Sequence, residues 1–383
     1  MRFVSPLLKQ IVYPCLAGTG YLRTLAPTGL AVVTYHGVLP PEYTPIDSGF
    51  DGSLITAEVF RRQLRLLKRK YTVITPAEMH DWCRGERDLP PRAALITCDD
   101  GFLNNLTEMV PILQEEGLRC LFFVTGASAG EHRTMLWHEE LLLMFLRAPA
   151  GNFEIEGAGI RLQGTLGSRE QRRTVWWGAV KKLSHADAQA REQFMLAGHA
   201  CFGMERSLEH YLATYPKAPR HFCLLTRPEV QQLAAAGMTI GAHSMTHSIL
   251  SQLPRELAWA EMVECRARLE SVIGKPIWAF AYPFGDADST SPMILAMAKQ
   301  AGFAATFLNV GGGLGSELPL HAIPRVHVNS GMRLPEFEAH VSGFYESLQR
   351  RMGRAHRPEL IEPDSSTSGP PPLPEPVSQP KIA

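Results

Sequence analysis

Residues 95–102 read LITCDDGF. An apolar run ends in two adjacent aspartates, Asp99 and Asp100, and then a glycine. Asp-Gly after a strand-like run is a turn signal, because Asp tolerates turn geometry and Gly reaches positive φ at no steric cost. Two carboxylates side by side must also share a proton or be held ionised, and a bound cation is a common way to hold them. The stretch therefore predicts a strand whose carboxyl end carries chemistry, and directs attention to metal ligands elsewhere in the chain.

Short apolar runs of the same kind recur at Leu30–Tyr35, Tyr71–Ile74, Ala93–Thr97, Leu118–Thr125, Met238–Ala242, Trp278–Tyr282, Phe303–Leu308 and Ile323–Val328. Amphipathic segments separate them. Thr75-Pro76-Ala77-Glu78 is a capping box with proline at the first helical position. Apolar residues at 258, 262, 265, 269 and 272 recur with helical spacing until Gly274 and Pro276 stop the pattern. Strands alternating with helices predict an α/β fold, a distorted TIM-like (β/α) barrel. The stretch from about 130 to 222 breaks this rhythm with a hairpin pattern (NFEIEGAGIRLQGTL) and two helical patterns. It reads as an inserted helical/hairpin subdomain at the loop end of the barrel, where such folds place specificity. The expected organisation is an N-terminal helical segment over 1–29, the barrel over 30–345 and a Pro/Ser-rich disordered tail over 346–383, its GPPPLPEP stretch the plainest part.

The 383 residues carry 38 Lys plus Arg against 38 Asp plus Glu, so no global field gathers nucleic acid or polyanions. With 45% hydrophobic and 20% charged residues, the composition is that of a globular protein. Seven scattered cysteines without CxxC spacing speak against a disulfide framework and for a reducing compartment. Lys9, Pro14, Gly18 and Gly20 interrupt the apolar N-terminus before it makes a signal-peptide core. A cytoplasmic location is expected, with the N-terminal segment packed on the domain or lying on a membrane surface.

A second stretch, IGAHSMTHSIL, places His243 and His247 just beyond a strand. At that spacing two imidazoles can face one ion, although unrelated histidines share it often. A third, FAYPFGD, ends another strand in Pro283 and Gly285, which suit either a terminating turn or a rigid loop that aims backbone N–H groups inward.

Taken in order, TCDDG, HSMTH and AYPFG resemble the first three motifs of the polysaccharide deacetylases, carbohydrate esterase family 4, the nodulation-type chitooligosaccharide deacetylase homology domain. VVTYHGV, FRRQLRLLKRKYTVIT and PILQEEGLRCLFFVT are similar to a branch whose barrel opens with a Tyr-His-x-Val strand, and the resemblance covers about Ala31 to Val341. It implies Asp99 as general base and Asp100, His243 and His247 as ligands of a divalent metal, zinc first, with cobalt or nickel as alternatives. It further implies that the backbone N–H near Phe284 stabilises the oxyanion. Ala281 stands where many members carry an arginine that orients the base; Arg325 is the substitute, or an ordinary strand-end ion pair. No late Leu-x-His motif is recognisable, so His36 is the best candidate acid, ahead of His321 and His327. Tyr35, Phe102, Trp137 and Tyr282 are candidate sugar contacts, with core packing as the competing role.

The implied activity is metal-dependent removal of N-acetyl groups from an amino sugar of a polysaccharide, oligosaccharide or lipid-linked precursor. The expected partners are that glycan and a peripheral membrane or polysaccharide-assembly complex, without nucleic acid. Two rivals stand beside it: a catalytically inactive glycan-binding or scaffold barrel, and a deacylase of a non-glycan N-acyl substrate. A cysteine hydrolase centred on Cys98 is the least favoured reading.

Overall fold

The computed structural model of the chain describes residues 6–25, 29–43, 52–214, 223–286, 288–311 and 319–352. In chain order its strands are β1 (Ala31–Tyr35), β2 (Gly37–Leu39), β3 (Leu54–Thr56), β4 (Thr72–Val73), β5 (Ala93–Cys98), β6 (Leu121–Val124), β7 (Gly151–Gly157), β8 (Ile160–Leu166), β9 (Thr239–Ala242), β10 (Ala279–Ala281), β11 (Ala305–Phe307) and β12 (Val326–His327). Eight of them form one parallel sheet in the order β11-β10-β9-β6-β5-β1-β12, with β4 paired to β5. A parallel bridge from Phe307 to Ile323, three residues before β12, nearly closes the sheet on itself. The result is a distorted barrel, in line with the expected α/β class.

The strands are short and buried on both faces, the normal state of a parallel sheet covered by helices. Side chains alternate along each strand and sort into two layers. Val32, Leu95, Leu121, Phe123, Ala279, Ala281, Ala305 and Phe307 fill the barrel interior. Val33, Tyr35, Ile96, Cys98, Phe122, Val124, Phe280 and Tyr282 face outward and pack with the surrounding helices. Gly241 is required here, because a Cβ on it would lie 2.6 Å from the Phe123 ring inside the barrel.

Helices cap as their sequences demand. Thr75 and Glu78 form the reciprocal capping box that starts Pro76–Cys83. The 19-residue helix Arg255–Ile273 ends at Gly274, in the left-handed conformation.

Within the region about 130–222, residues 130–214 fold as a separate layer with its own apolar core, built from Phe145, Phe153, Ile155, Leu166, Trp176 and Phe194 among others. It contains the helix Trp137–Arg147, the hairpin of β7 and β8 turning at Ala158-Gly159, both at positive φ, and the helices Arg169–Leu183, Ala188–Cys201 and Leu208–Thr214. Its two ends meet: Met135 bridges Cys223, and Leu225 N–H donates to the Gly101 carbonyl at 2.8 Å. The insertion is thus rooted beside the aspartate pair.

The N-terminal segment is helical over Leu8–Val12, Tyr13–Gly18 and Tyr21–Thr24, docked through Tyr13 and Leu22 on Ala339 and Phe344. Leu7, Ile11, Tyr21 and Leu25 on it are exposed. No helix among the described residues is long and apolar enough to cross a membrane. One expectation is corrected at the other end: residues 346–351, assigned to the tail, belong to the helix Phe344–Arg351, where Glu346 and Gln349 are buried. The Pro/Ser-rich stretch beyond 352 lies outside the described residues.

Candidate metal centre and active site

Parallel pairing of β1 with β5 sets Tyr35 beside Cys98, and Asp99 N–H donates to the Tyr35 carbonyl at 2.9 Å. The alternation then turns Asp99 to the inside of the barrel mouth. Asp100 follows at φ 78°, a left-handed conformation that Asp tolerates better than most residues. From β9, extended by a His243 N–H bond to the Val124 carbonyl, His243 enters the same mouth. Ser244, His247 and Phe284 also have positive φ, so four non-glycine residues in this sparsely populated region cluster around one point.

Asp100 Oδ1 lies 3.3 Å from His243 Nε2 and 3.2 Å from His247 Nε2, with all three residues buried. One ligand atom from each falls within 4.8 Å of the others. Asp100 Oδ1 has no hydrogen-bond partner, an orphaned buried oxygen aimed at two imidazole nitrogens. His243 Nδ1 donates to the Ala281 carbonyl at 2.8 Å, a tautomer that leaves the Nε2 lone pair toward Asp100. Three convergent donors of this kind fit a divalent cation with open positions for water and substrate.

Burial opposes ionisation of Asp100, yet the neighbouring His243 and His247 imidazoles hold its carboxyl well below the usual range. Burial likewise pushes His247 down. For His243 the same penalty is outweighed by Asp100 and Asp99, and its pKa rises.

Asp99 is gripped from β12's approach. Arg325 Nη1 and Nη2 donate to its two carboxylate oxygens at 2.6 Å each, while Nε donates to the Leu308 carbonyl at 2.9 Å. Both residues are 1–2% exposed, and the guanidinium lies 5.4 Å from the Phe123 ring centroid. Burial works to raise the Asp99 carboxyl; Arg325 and then His243 overcome it and hold it down. Ala281 faces the barrel interior, and the arginine is supplied by the residue just before β12 rather than by the third motif.

His36 leaves β1 with inward parity. Its ring stands 5.0 Å from that of His327, edge to face, and Nδ1 of each is without a partner. His321 packs elsewhere, its backbone carbonyl 3.5 Å from the Tyr282 hydroxyl. Phe284 presents its ring to His247 at 5.1 Å.

Three of the four aromatic sugar contacts are corrected. Tyr35 and Tyr282 share the outward parity of Cys98 and lie in the layer beneath the helices, 1% exposed. Phe102 is buried with Leu136 and Leu224 under the root of the insertion. Trp137 lines the cavity beneath the insertion, and its Nε1 donates to the His247 carbonyl at 3.2 Å. Cys98 faces away from Asp99, and burial pushes its thiol well up, which removes the cysteine-hydrolase reading.

The sequence did not reveal what the insertion contributes. His138 reaches 5.2 Å from the His247 ring and 5.7 Å from that of Phe284; burial first, then His247, pushes its pKa down to about 3. Arg191 donates to the hydroxyls of Thr246 (2.9 Å) and Ser248 (2.7 Å), the two neighbours of His247, and its guanidinium covers the Trp137 ring at 5.1 Å. From the barrel side, Glu261 accepts the Thr246 N–H at 2.8 Å. A single histidine in a helix of leucines carries no sequence signal for any of this.

A parallel barrel with two histidines and an aspartate converging at its mouth, beside an arginine-paired aspartate, is an arrangement that could hold a metal ion next to a carboxylate. Residues 193–306 match the model of the polysaccharide deacetylase family. That stretch holds His243, His247 and Phe284; Asp99 and Asp100 lie before it. A Bacillus subtilis (strain 168) protein named "Putative polysaccharide deacetylase YxkH" is 23% identical over 124 residues, 32% of this chain and 41% of that protein's length. Among solved structures, Streptococcus pyogenes deacetylase PplD in complex with acetate is similar in fold at 14% identity, with a TM-score of 0.51 covering 83% of this chain and 99% of that one. IcaB from Ammonifex degensii gives 19% identity and 0.50, covering 83% and 98%. Residues 193–306 are thus similar to the polysaccharide deacetylase family, and the two solved structures are similar in fold over most of the chain.

Proposed function

We propose that this protein is a metal-dependent N-deacetylase that hydrolyses the acetamide of an amino sugar in a glycan, releasing acetate and the free amine. The observation that carries the reading is the convergence of Asp100, His243 and His247 on one point, with Asp99 buried beside them and held by Arg325 rather than by the imidazoles. Asp100 Oδ1 and the two Nε2 atoms would hold the cation, zinc in the first instance. When bound, such a cation supplies Lewis acidity to water and to the acetamide carbonyl.

The chain's own residues do the rest. Asp99 takes the proton of the attacking water, its carboxylate kept ionised and fixed in orientation by the two Arg325 bonds. The Phe284 N–H donates to the carbonyl oxygen as charge collects there. His36 protonates the departing nitrogen; His138 and His327, both pushed down to about 3 with burial as the leading cause, are held neutral and are poorer donors. Trp137 bounds the sugar subsite. The exposed Leu7, Ile11, Tyr21 and Leu25 support a peripheral contact of the N-terminal segment with a membrane surface, consistent with action during glycan assembly.

The test is acetate release from N-acetylglucosamine oligomers by purified protein, abolished by a chelator and restored by added zinc. Oligomer binding without acetate under every metal condition would favour the inactive scaffold instead. Acetate from a non-glycan acetamide at a higher rate than from the oligomers would favour the wider deacylase.

A further inference from the structure

Between the insertion and the barrel mouth lies a cavity of about 490 Å³, within the size range of small-molecule sites. Trp137 and Thr246 form the wall nearest the metal centre: Trp137 is bonded to the His247 carbonyl, and Thr246 precedes His247 in the chain. The cavity is therefore one residue away from a proposed metal ligand, yet it is built largely by the insertion.

Its apolar walls are Met135, Leu136, Met195, Leu196, Leu208 and Leu224. Leu196 is 52% exposed and lines this cavity. The charged groups at the wall are already engaged. Arg206 bonds both Glu140 and Glu192, Arg133 forms a two-bond pair with Glu229, and Arg191 is committed to Thr246 and Ser248. The Tyr211 hydroxyl is paired with His199. With these groups committed to one another, the wall left for a ligand is mainly hydrocarbon, which solvates sugar hydroxyls or an anion poorly. A hydrocarbon ligand meets neither difficulty.

We propose that this cavity holds an uncharged hydrocarbon chain carried by the acetylated amino sugar, so that the enzyme selects a lipid-linked glycoside over a free water-soluble one. The inference rests on the deacetylase reading for its substrate but not for its binding site. The hydrocarbon enters past Leu196 and lies against Met195 and Leu208, while the sugar reaches the barrel mouth over Trp137.

Two probes test it: octyl and methyl N-acetyl-β-glucosaminide, which share the sugar and differ in the chain. With the zinc-loaded full chain, kcat/KM for acetate release is expected to favour the octyl compound by about tenfold or more, the scale set by burying a few methylenes. Leu196→Glu and Met195→Trp should each collapse that ratio; melting curves establish that the variants are folded, and the exposed position 196 tolerates charge where buried 195 risks misfolding. Calorimetry on zinc-free protein should show the octyl glycoside binding, the methyl glycoside not, and Leu196→Glu abolishing the signal. Equal kcat/KM for the two probes, or an octyl preference that survives in folded Leu196→Glu, overturns the proposal while leaving the deacetylase reading intact. Octyl binding lost in Leu196→Glu, without acetate from either probe, supports the cavity assignment and overturns the activity.

Discussion

Arg325 and Asp99 meet through two parallel 2.6 Å hydrogen bonds at the mouth of the barrel, both side chains almost wholly out of solvent. Asp99 immediately follows β5, whereas Arg325, 226 residues later, immediately precedes β12. Two buried charges are expensive unless geometry is good, and here the planar fork matches the carboxylate and a backbone carbonyl takes the remaining Nε–H.

Removing the guanidinium with Arg325→Met leaves Asp99 buried without its partner, and a loss of about 3–5 kcal/mol in stability is expected from denaturant melts. Asp99 has a lowered pKa in the folded protein, so its stabilising contribution is present above the unfolded value of about 3.9 and is lost as pH falls through the folded value. In the variant burial dominates, the carboxyl rises, and the acidic limb of the rate profile moves to higher pH. Arg325→Lys restores charge without the fork and should fall between the two. An unchanged melt and rate profile in Arg325→Met would show that the pair neither holds the fold nor tunes the base.

Asp99→Asn should separate chemistry from ligation. The expected result is full zinc content by metal analysis with turnover reduced about 10²–10⁴-fold, the range for losing a general base. Loss of zinc equal to that of His243→Ala would reassign Asp99 to the metal.

The insertion is predicted to support the metal centre as well as to bind substrate. Arg191 fixes Thr246 and Ser248 on either side of His247, which itself sits at φ 54°. Losing such outer support typically costs about 10–100-fold in metal affinity. Zinc titration of Arg191→Met against a competing chelator should show a weakening of that order while the melting temperature in excess zinc stays close to wild type. Unaltered zinc affinity would reduce Arg191 to a packing residue.

Far from the site, His340 offers a pH test of the fold. Burial first, and then Lys9, pushes its pKa down to about 4, and its ring lies 4.1 Å from that of Tyr345. The unfolded chain binds a proton there near pH 6.5, whereas the folded one does not. Stability should therefore decline as pH falls from about 6.5 toward 4 and stop declining on this account below 4. The melting temperature of His340→Gln should fall less steeply over that window; an identical slope would exclude the contribution.

The barrel was legible because strand and helix periods differ and because every strand of the sheet is a short apolar run; each of the eight expected runs contains or overlaps an observed sheet segment. Parity was the part read incompletely. Tyr35 and Tyr282 follow from the motifs as neighbours of the site, but a two-residue repeat puts them on the opposite face from Asp99, and the sequence offers no direct sign of which face is inside. The insertion's hairpin and helices were visible in pattern, whereas the approach of Trp137, His138 and Arg191 to His247 depends on how that layer docks, a long-range contact with no local signature. Arg325 was readable only as one of two alternatives until its bonds to Asp99 were seen.

The most direct measurement is zinc stoichiometry and acetate release determined together on wild type and Asp100→Asn. One ion per chain and acetate from an N-acetylglucosamine substrate are expected for the first, and neither for the second, with both melting as folded proteins. Full zinc occupancy in Asp100→Asn, or a zinc-loaded wild type that releases no acetate from any N-acetylated glycan, would contradict that expectation.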